Sequence, residues 1–262
     1  MMRSLWTAAT GMAAQQANID VVSNNLANVN TTGFKKSRTD FQDLMYQTIS
    51  QAGSTTGADS QLPTGIQMGS GVRQVATQKI YTEGSFQSTG NSTDLAIEGD
   101  GFFQITMPDG TINYTRDGAF KLDSTGRIVT SAGYPLEPAI TIPSTATAFA
   151  VSSTGLVTAT LPSQTASQEL GQLQIVRFVN PSGLDSVGQN LLKETGASGS
   201  PVASNPGTDG AGTIQQKYVE MSNVQVVEEM VNMIVAQRAY EINSKAITTS
   251  DTMLEQAANL KR

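Results

Sequence analysis

Residues 224–260 read VQVVEEMVNMIVAQRAYEINSKAITTSDTMLEQAANL, and this stretch decides the fold. It closes a longer run, from about Ile214 to Leu260, that holds neither Pro nor Gly, so no residue in it forces a backbone break. Two apolar stripes run along it. One comprises Val224, Val231, Val235, Ala239, Ile242, Ala246, Met253 and Leu260; the other takes Val226, Met233, Tyr240, Ile247 and Leu254, one every seven residues. At roughly 100° per residue the two lie on nearly opposite sides of a helix. The reading is one C-terminal helix within 213–262, of about 40 residues and about 60 Å. A single partner surface cannot cover both stripes. Leaving one in water forgoes several kcal/mol at about 25 cal/mol per Å², so the pattern predicts packing between molecules. Two differently composed stripes suit a head-to-tail contact, which closes into a ring or propagates as a helix of subunits.

The other end is similar. Leu5, Met12, Ile19 and Leu26 recur every seven residues, with Ala8, Gln15, Val22 and Val29 three positions later, a heptad-like helical face. Gly11 weakens such a helix by about 1 kcal/mol relative to Ala. The pattern stops at Asn28-Val29-Asn30-Thr31-Thr32-Gly33, where turn-forming side chains compete with helical hydrogen bonds. Residues 1–33 are therefore read as an N-terminal helix and its end. Residues 34–72 are read as an extended connector, because only Asp59 is charged between Met45 and Val72 and the glycines at 53, 57 and 65 break any helix. From about 73 to 193, short β-rich runs alternate with turn dipeptides such as Asp109-Gly110, Asp117-Gly118 and Thr125-Gly126, and the Gly- and Pro-rich stretch 195–212 reads as a loop leading back to the C-terminal helix, so 73–212 is expected to be an antiparallel all-β domain with loops. The fold class is α+β, with two terminal helices pairing as a coiled-coil-like layer around that arrangement.

Composition removes most other functions. The 262 residues are 38% hydrophobic and only 15% charged, with a net charge of −6, the wrong sign for nucleic-acid binding by counterion release. No Cys and no His are present, which excludes thiolate or imidazole metal ligation, Cys nucleophiles, Ser-His-Asp triads and disulfides. No run approaches the ~20 apolar residues of a membrane span, and the first 16 residues make a poor secretory signal. Carboxylates could hydrolyse a glycoside without His, and Asp94, Glu98, Asp100, Asp109 and Asp117 are candidates, but each sits in a Gly-rich, turn-like context. The string from Asp94 to Asp100 lacks the spacing of a calcium loop. No catalytic, metal or cofactor site is assigned. A competing reading is an oligomeric extracellular β module that binds glycans or acts as an adhesin; with aromatics at 6%, and Phe86, Phe102, Phe103 and Phe120 falling where strand cores are expected, an exposed aromatic platform is not foreseen.

The ends also carry a resemblance. Leu26-Ala27-Asn28-Val29-Asn30-Thr31-Thr32-Gly33-Phe34-Lys35 resembles the N-terminal signature of the bacterial flagellar rod, hook and hook-associated axial proteins. Ser222-Asn223-Val224, with Glu229 to Ile234 and Gln237-Arg238-Ala239-Tyr240-Glu241-Ile242-Asn243-Ser244-Lys245, resembles their C-terminal signature. Asp94 to Phe103 and Tyr114 to Gly118 resemble the first strands of the family's middle domain. The segments Met2 to Met12, Asp43 to Gln47 and Gly69 to Arg73 look most like distal-rod members, with a proximal-rod or hook subunit as the alternative. The resemblance implies a structural role: subunits stack into a hollow helical tube that joins motor to hook, transmits torque and forms part of the export channel. Its implied partners are further copies of itself, proximal-rod and hook proteins at its ends, the basal-body ring bushings and the flagellar export apparatus. It implies a place in the periplasm-spanning rod, reached without a cleaved signal, with no cofactor, no nucleic acid and no membrane insertion. The 45–72 segment resembles the extended segment of distal-rod members and is expected to bridge adjacent subunits.

Overall fold

A computed structural model describes residues 2–57, 60–162 and 167–259; Leu260 and Asp59, used above, lie outside them. The chain divides into two compact units. The first comprises residues 1–27, 37–78 and 225–262, and the second comprises residues 28–36 and 79–224.

The first unit holds both long helices, α1 (Met2–Ala27) and α2 (Val226–Asn259). They run antiparallel. The hydroxyls of Ser4 and Ser250 are 3.3 Å apart, Gly11 faces the Asn243 side chain, and Asn25 Nδ2 donates to Glu229 Oε2 at 3.2 Å. In each pair the two residue numbers add to the same total, so the seam keeps one register along its length. At Gly11 a β-carbon would stand 2.9 Å from Asn243 Nδ2, so a residue that costs helix propensity makes room for a partner side chain. Asn25, 1% exposed, also exchanges two hydrogen bonds with the backbone of Ser37, accepting from its N–H at 2.9 Å and donating to its carbonyl at 2.8 Å. The seam is thus small and polar at its centre. Leu5, Met12, Ile19 and Leu26 flank it, each half-buried.

Two boundaries differ from the sequence reading. The C-terminal helix begins at Val226, and its 34 residues give about 51 Å rather than 60. Residues 213–220 lack helix breakers but alternate in the manner of strands, and they pair as Thr213–Gln216 and Tyr218–Glu220 within the second unit. Val224, assigned to a helical stripe, therefore precedes the helix. Nor is the connector a single extended strand. β1 (Ser37–Asp43), β2 (Gln47–Ser50), β3 (Thr55–Gly57), β4 (Ser60–Gln61), β5 (Ile66–Met68) and β6 (Val72–Lys79) pair as β1 with β6, β2 with β5 and β3 with β4. This nesting is one long hairpin arm.

The second unit is antiparallel β throughout its described ladders, and the α+β class holds. β7 (Phe86–Ser88) pairs with Tyr218–Glu220, and β8 (Leu95–Glu98) pairs with Thr213–Gln216. β9 (Phe103–Thr106) and β10 (Ile112–Thr115) form the hairpin at the centre of a five-stranded sheet, with Thr115 opposite Phe103. Asp109-Gly110 makes that turn as expected: Gly110 has φ +79° and Asp109 accepts from the Thr111 N–H and hydroxyl. Asp117-Gly118 is not a hairpin turn. Gly118 lies against the Leu95 carbonyl, in space that any β-carbon would fill. The core gathers Leu95, Ile97, Phe103, Ile105, Val157, Leu173, Ile175 and Ile214, all essentially without solvent exposure. Phe102, Phe103 and Phe120 are buried as foreseen, and Phe86 is half-buried.

Candidate self-assembly surface

The surface that stands out is the side of α2 turned away from α1. Val227, Met230, Val231, Ile234, Val235 and Ile242 are exposed by 50% to 77%, and Met253 continues the line. At roughly 100° per residue these side chains centre about 170° from the seam line through Glu229, Met233, Ala236, Asn243 and Ile247. Apolar groups on this scale are not left in water by accident. Of the two stripes read from sequence, Met233, Ile247 and Leu254 are half-buried, with Tyr240 at the margin and Val226 exposed. Val231, Val235, Ile242 and Met253 of the first stripe face outward. Val227, Met230 and Ile234 were missed, although their spacing with Val231 is a helical i, i+3, i+4, i+7 pattern that marks one face.

α1 adds to the exposed apolar area through Met2 and Trp6, the latter 71% exposed. Beside Trp6, a cleft of about 440 Å³ is lined by Arg3, Thr7 and Thr10 of α1 and by Leu44, Gly69 and Ser70 of the arm. The arm can approach α1 here because Gly71 stands against the Thr10 hydroxyl with φ +117°, where a β-carbon has no room. Gln237 and Arg238 are exposed, and Arg238 pairs with Glu241 at 2.9 Å, a surface contact of small energetic weight. Ala239 is half-buried.

Of the remaining motif residues Ala27 is the last of α1, and Asn28, Thr31, Gly33, Phe34 and Asn223 belong to the second unit and serve its internal structure. Thr31 caps the turn by donating to the Asn28 side chain at 3.2 Å, and Phe34 donates its N–H to the Thr31 carbonyl. Gly33 holds φ +67°, and a β-carbon there would come within 2.5 Å of the Asp117 nitrogen. Its own N–H donates to the Glu220 carbonyl at 2.8 Å. Gly33→Ala combines left-handed strain with a backbone collision, so a loss of about 2–4 kcal/mol is expected in urea unfolding of this unit. An unchanged midpoint would show that the turn has another conformation.

Next to this turn lies a buried ion triad. Glu220, 1% exposed, accepts from Lys35 Nζ at 2.6 Å through one oxygen and from Arg116 Nε at 2.5 Å through the other. Arg116 donates also to the carbonyls of Ile97, Gly99 and Gly101, and Lys35 to the Thr82 carbonyl. Burial pushes the Glu220 carboxyl up, but Arg116 and Lys35 outweigh it and hold the group below the ordinary carboxylate range. Burial lowers the Lys35 ammonium, and Glu220 restores only part of that. No residue of this triad was singled out by its charge in the sequence. Among the described residues no cluster of acidic side chains could hold a metal, and no helix is long and apolar enough to cross a membrane.

Three family models match the chain in order. The flagella basal body rod protein model covers residues 5–35, the flagellar hook protein FlgE/F/G D1 domain covers 96–159, and the flagellar basal body rod FlgEFG protein C-terminal model covers 215–260. The flagellar basal-body rod protein FlgG of Buchnera aphidicola subsp. Schizaphis graminum is 54% identical over 260 residues, spanning 99% of this chain and all of that protein. Its counterpart from Borreliella burgdorferi is 54% identical over 264 residues, the full length of both. The chain belongs to the flagellar basal-body rod protein family. The flagellar hook protein FlgE of Helicobacter mustelae is 48% identical, but over only 52% of this chain and 30% of that protein. Rod rather than hook therefore accounts for the chain from end to end. The resemblance read from the terminal motifs is borne out, and the chain is a structural rod subunit, not an enzyme.

Proposed function

We propose that this rod subunit polymerises head-to-tail into a hollow helical tube, the distal part of the flagellar drive shaft, whose lumen serves export. The exposed apolar face of α2 carries this reading: a subunit that hid its second stripe on α1 and needed no neighbours would not keep Val227, Ile234, Val235 and Ile242 in water. In the tube the paired terminal helices form the inner layers, and the outward face of α2 packs on adjacent copies. Proximal-rod proteins meet one end and hook proteins the other, the ring bushings surround the shaft, and the export apparatus delivers subunits across the inner membrane to the periplasm-spanning rod. Electron microscopy of the purified protein at rising concentration tests the core of this. Straight hollow rods are expected, and a monomer at every concentration would discard it.

The arm is assigned to bridging neighbouring subunits. Ile49, Ile66 and Met68 on the paired strands β2 and β5 are all about half exposed, which leaves them available to a second copy. Deleting residues 50–65 removes the end of the hairpin and spares β1 and β6. Rods of the shortened chain should still form but bend more easily, read as a shorter persistence length in micrographs. An unchanged persistence length would separate the arm from stiffness.

A further inference from the structure

The backbone passes between the two units four times, at 27/28, 36/37, 78/79 and 224/225. Three of these passages lead to one side chain of the second unit. Asn223 Oδ1 accepts from the Lys36 N–H at 2.8 Å, while Asn223 Nδ2 donates to the Ile80 carbonyl at 2.8 Å and to the Thr82 hydroxyl at 3.0 Å. Ile80 and Lys36 are joined directly, the N–H of Ile80 donating to the Lys36 carbonyl at 2.9 Å. We propose that Asn223 is a positioning residue that ties together three of the four chain passages, so that a load entering along one of them is shared by all three.

The chemistry favours a primary amide. Two donors and an acceptor are needed in one short planar group, a set that Asn supplies and that neither Asp nor an apolar residue can. The tie is anchored from behind. Glu220, three residues earlier, holds Lys35 and also accepts from the Gly84 N–H at 3.0 Å, and the Met221 N–H donates to the Ser85 carbonyl at 2.8 Å. The segments 33–36, 80–85 and 219–224 are therefore joined at several successive positions, and Asn223 closes the last of them before the chain departs. Bonds set side by side across three segments share a pull and fail together, whereas three separate strands would each carry what reached them alone. The load-sharing consequence rests on the drive-shaft reading; the tie itself does not.

The test uses the full chain as a dilute monomer, by amide hydrogen exchange. Asn223→Ala should speed exchange at Lys36 and Ile80 by about tenfold or more, with no change at core amides such as Ile105 and Val157. Asn223→Asp keeps an acceptor for the Lys36 N–H but sets an anionic oxygen against the Ile80 carbonyl in place of a donor, so Lys36 should stay protected while the Ile80 segment is pushed away and the Ile80 N–H, bonded to the Lys36 carbonyl, exchanges faster. Unchanged exchange at Lys36 and Ile80 in the alanine variant would overturn the tie. Equal acceleration across the β core would also overturn it, since Asn223 would then be an ordinary stabilising residue. These readouts need no polymer and stand apart from the rod reading. In cells, Asn223→Asp subunits should build rods of normal length yet lose swimming speed disproportionately as medium viscosity rises; wild-type speed at every viscosity would overturn load sharing.

Discussion

Glu220→Ala should destabilise the second unit by about 3–5 kcal/mol, because it leaves two cations buried without their counter-charge. Lys35 and Arg116 each spend a charge-assisted bond on this carboxylate, at 2.6 and 2.5 Å, and both side chains are nearly inaccessible to water. Arg116 cannot shed its proton and keeps only its three carbonyl acceptors. Glu220→Gln retains the shape and one acceptor oxygen but not the charge, so an intermediate loss is expected. Urea unfolding of all three proteins at neutral pH measures this; a loss below about 1 kcal/mol for the alanine variant would mean that water reaches the cations. The pH dependence gives an independent check. The folded-state pKa of Glu220 lies below its unfolded value, so its stabilisation is fully present above the unfolded carboxylate range and disappears as pH falls through the folded value. The acid limb of the stability curve should be shallower in Glu220→Gln than in the parent.

This triad also marks where sequence reading stops. Lys35 and Arg116 lie 185 and 104 residues from Glu220, and no periodicity or motif joins positions so far apart. The terminal helices were legible because a 3.6-residue period is local, and the hairpin at Asp109-Gly110 because its turn chemistry is local too. The seam was less so. A heptad of Leu5, Met12, Ile19 and Leu26 suggested an apolar interface, whereas the contacts that mark the register are Gly11 on Asn243 and Asn25 on Glu229, small and polar residues whose pairing depends on the other helix. The start of α2 was misplaced since absence of Pro and Gly was read as helix, although Ile214 and Val219 are the inward positions of two strands. In the connector a shortage of charge could indicate an extended segment but not a hairpin, because the pairing of β1 with β6 spans some thirty residues of intervening chain.

Ile242→Asp and Ile234→Asp should abolish polymerisation while leaving the monomer as stable as the parent. Both side chains point away from α1 and are 66% and 54% exposed, so in the free subunit a carboxylate there meets water and loses nothing beyond a small helix-propensity difference. In a neighbour's interface the same substitution removes roughly 1.5–3 kcal/mol of apolar burial and adds the cost of desolvating a charge. Each subunit repeats the defect, and the critical concentration for assembly should rise by about two orders of magnitude or more. Tyr240 and Leu254, of the second stripe read from sequence, make a poorer test of that interface, because Leu254 is half-buried and Tyr240 lies at the edge of the same side. Met233→Asp and Ile247→Asp are the proper contrast: they place a charge on the side facing α1, so they should lower monomer stability first and assembly as a consequence. Thermal unfolding and sedimentation of the four variants separate the two sides of α2. Normal polymerisation of Ile242→Asp and Ile234→Asp would mean that the exposed stripe faces solvent or the lumen in the rod, and the contacts between subunits would then have to come from Trp6, Met2 and the arm.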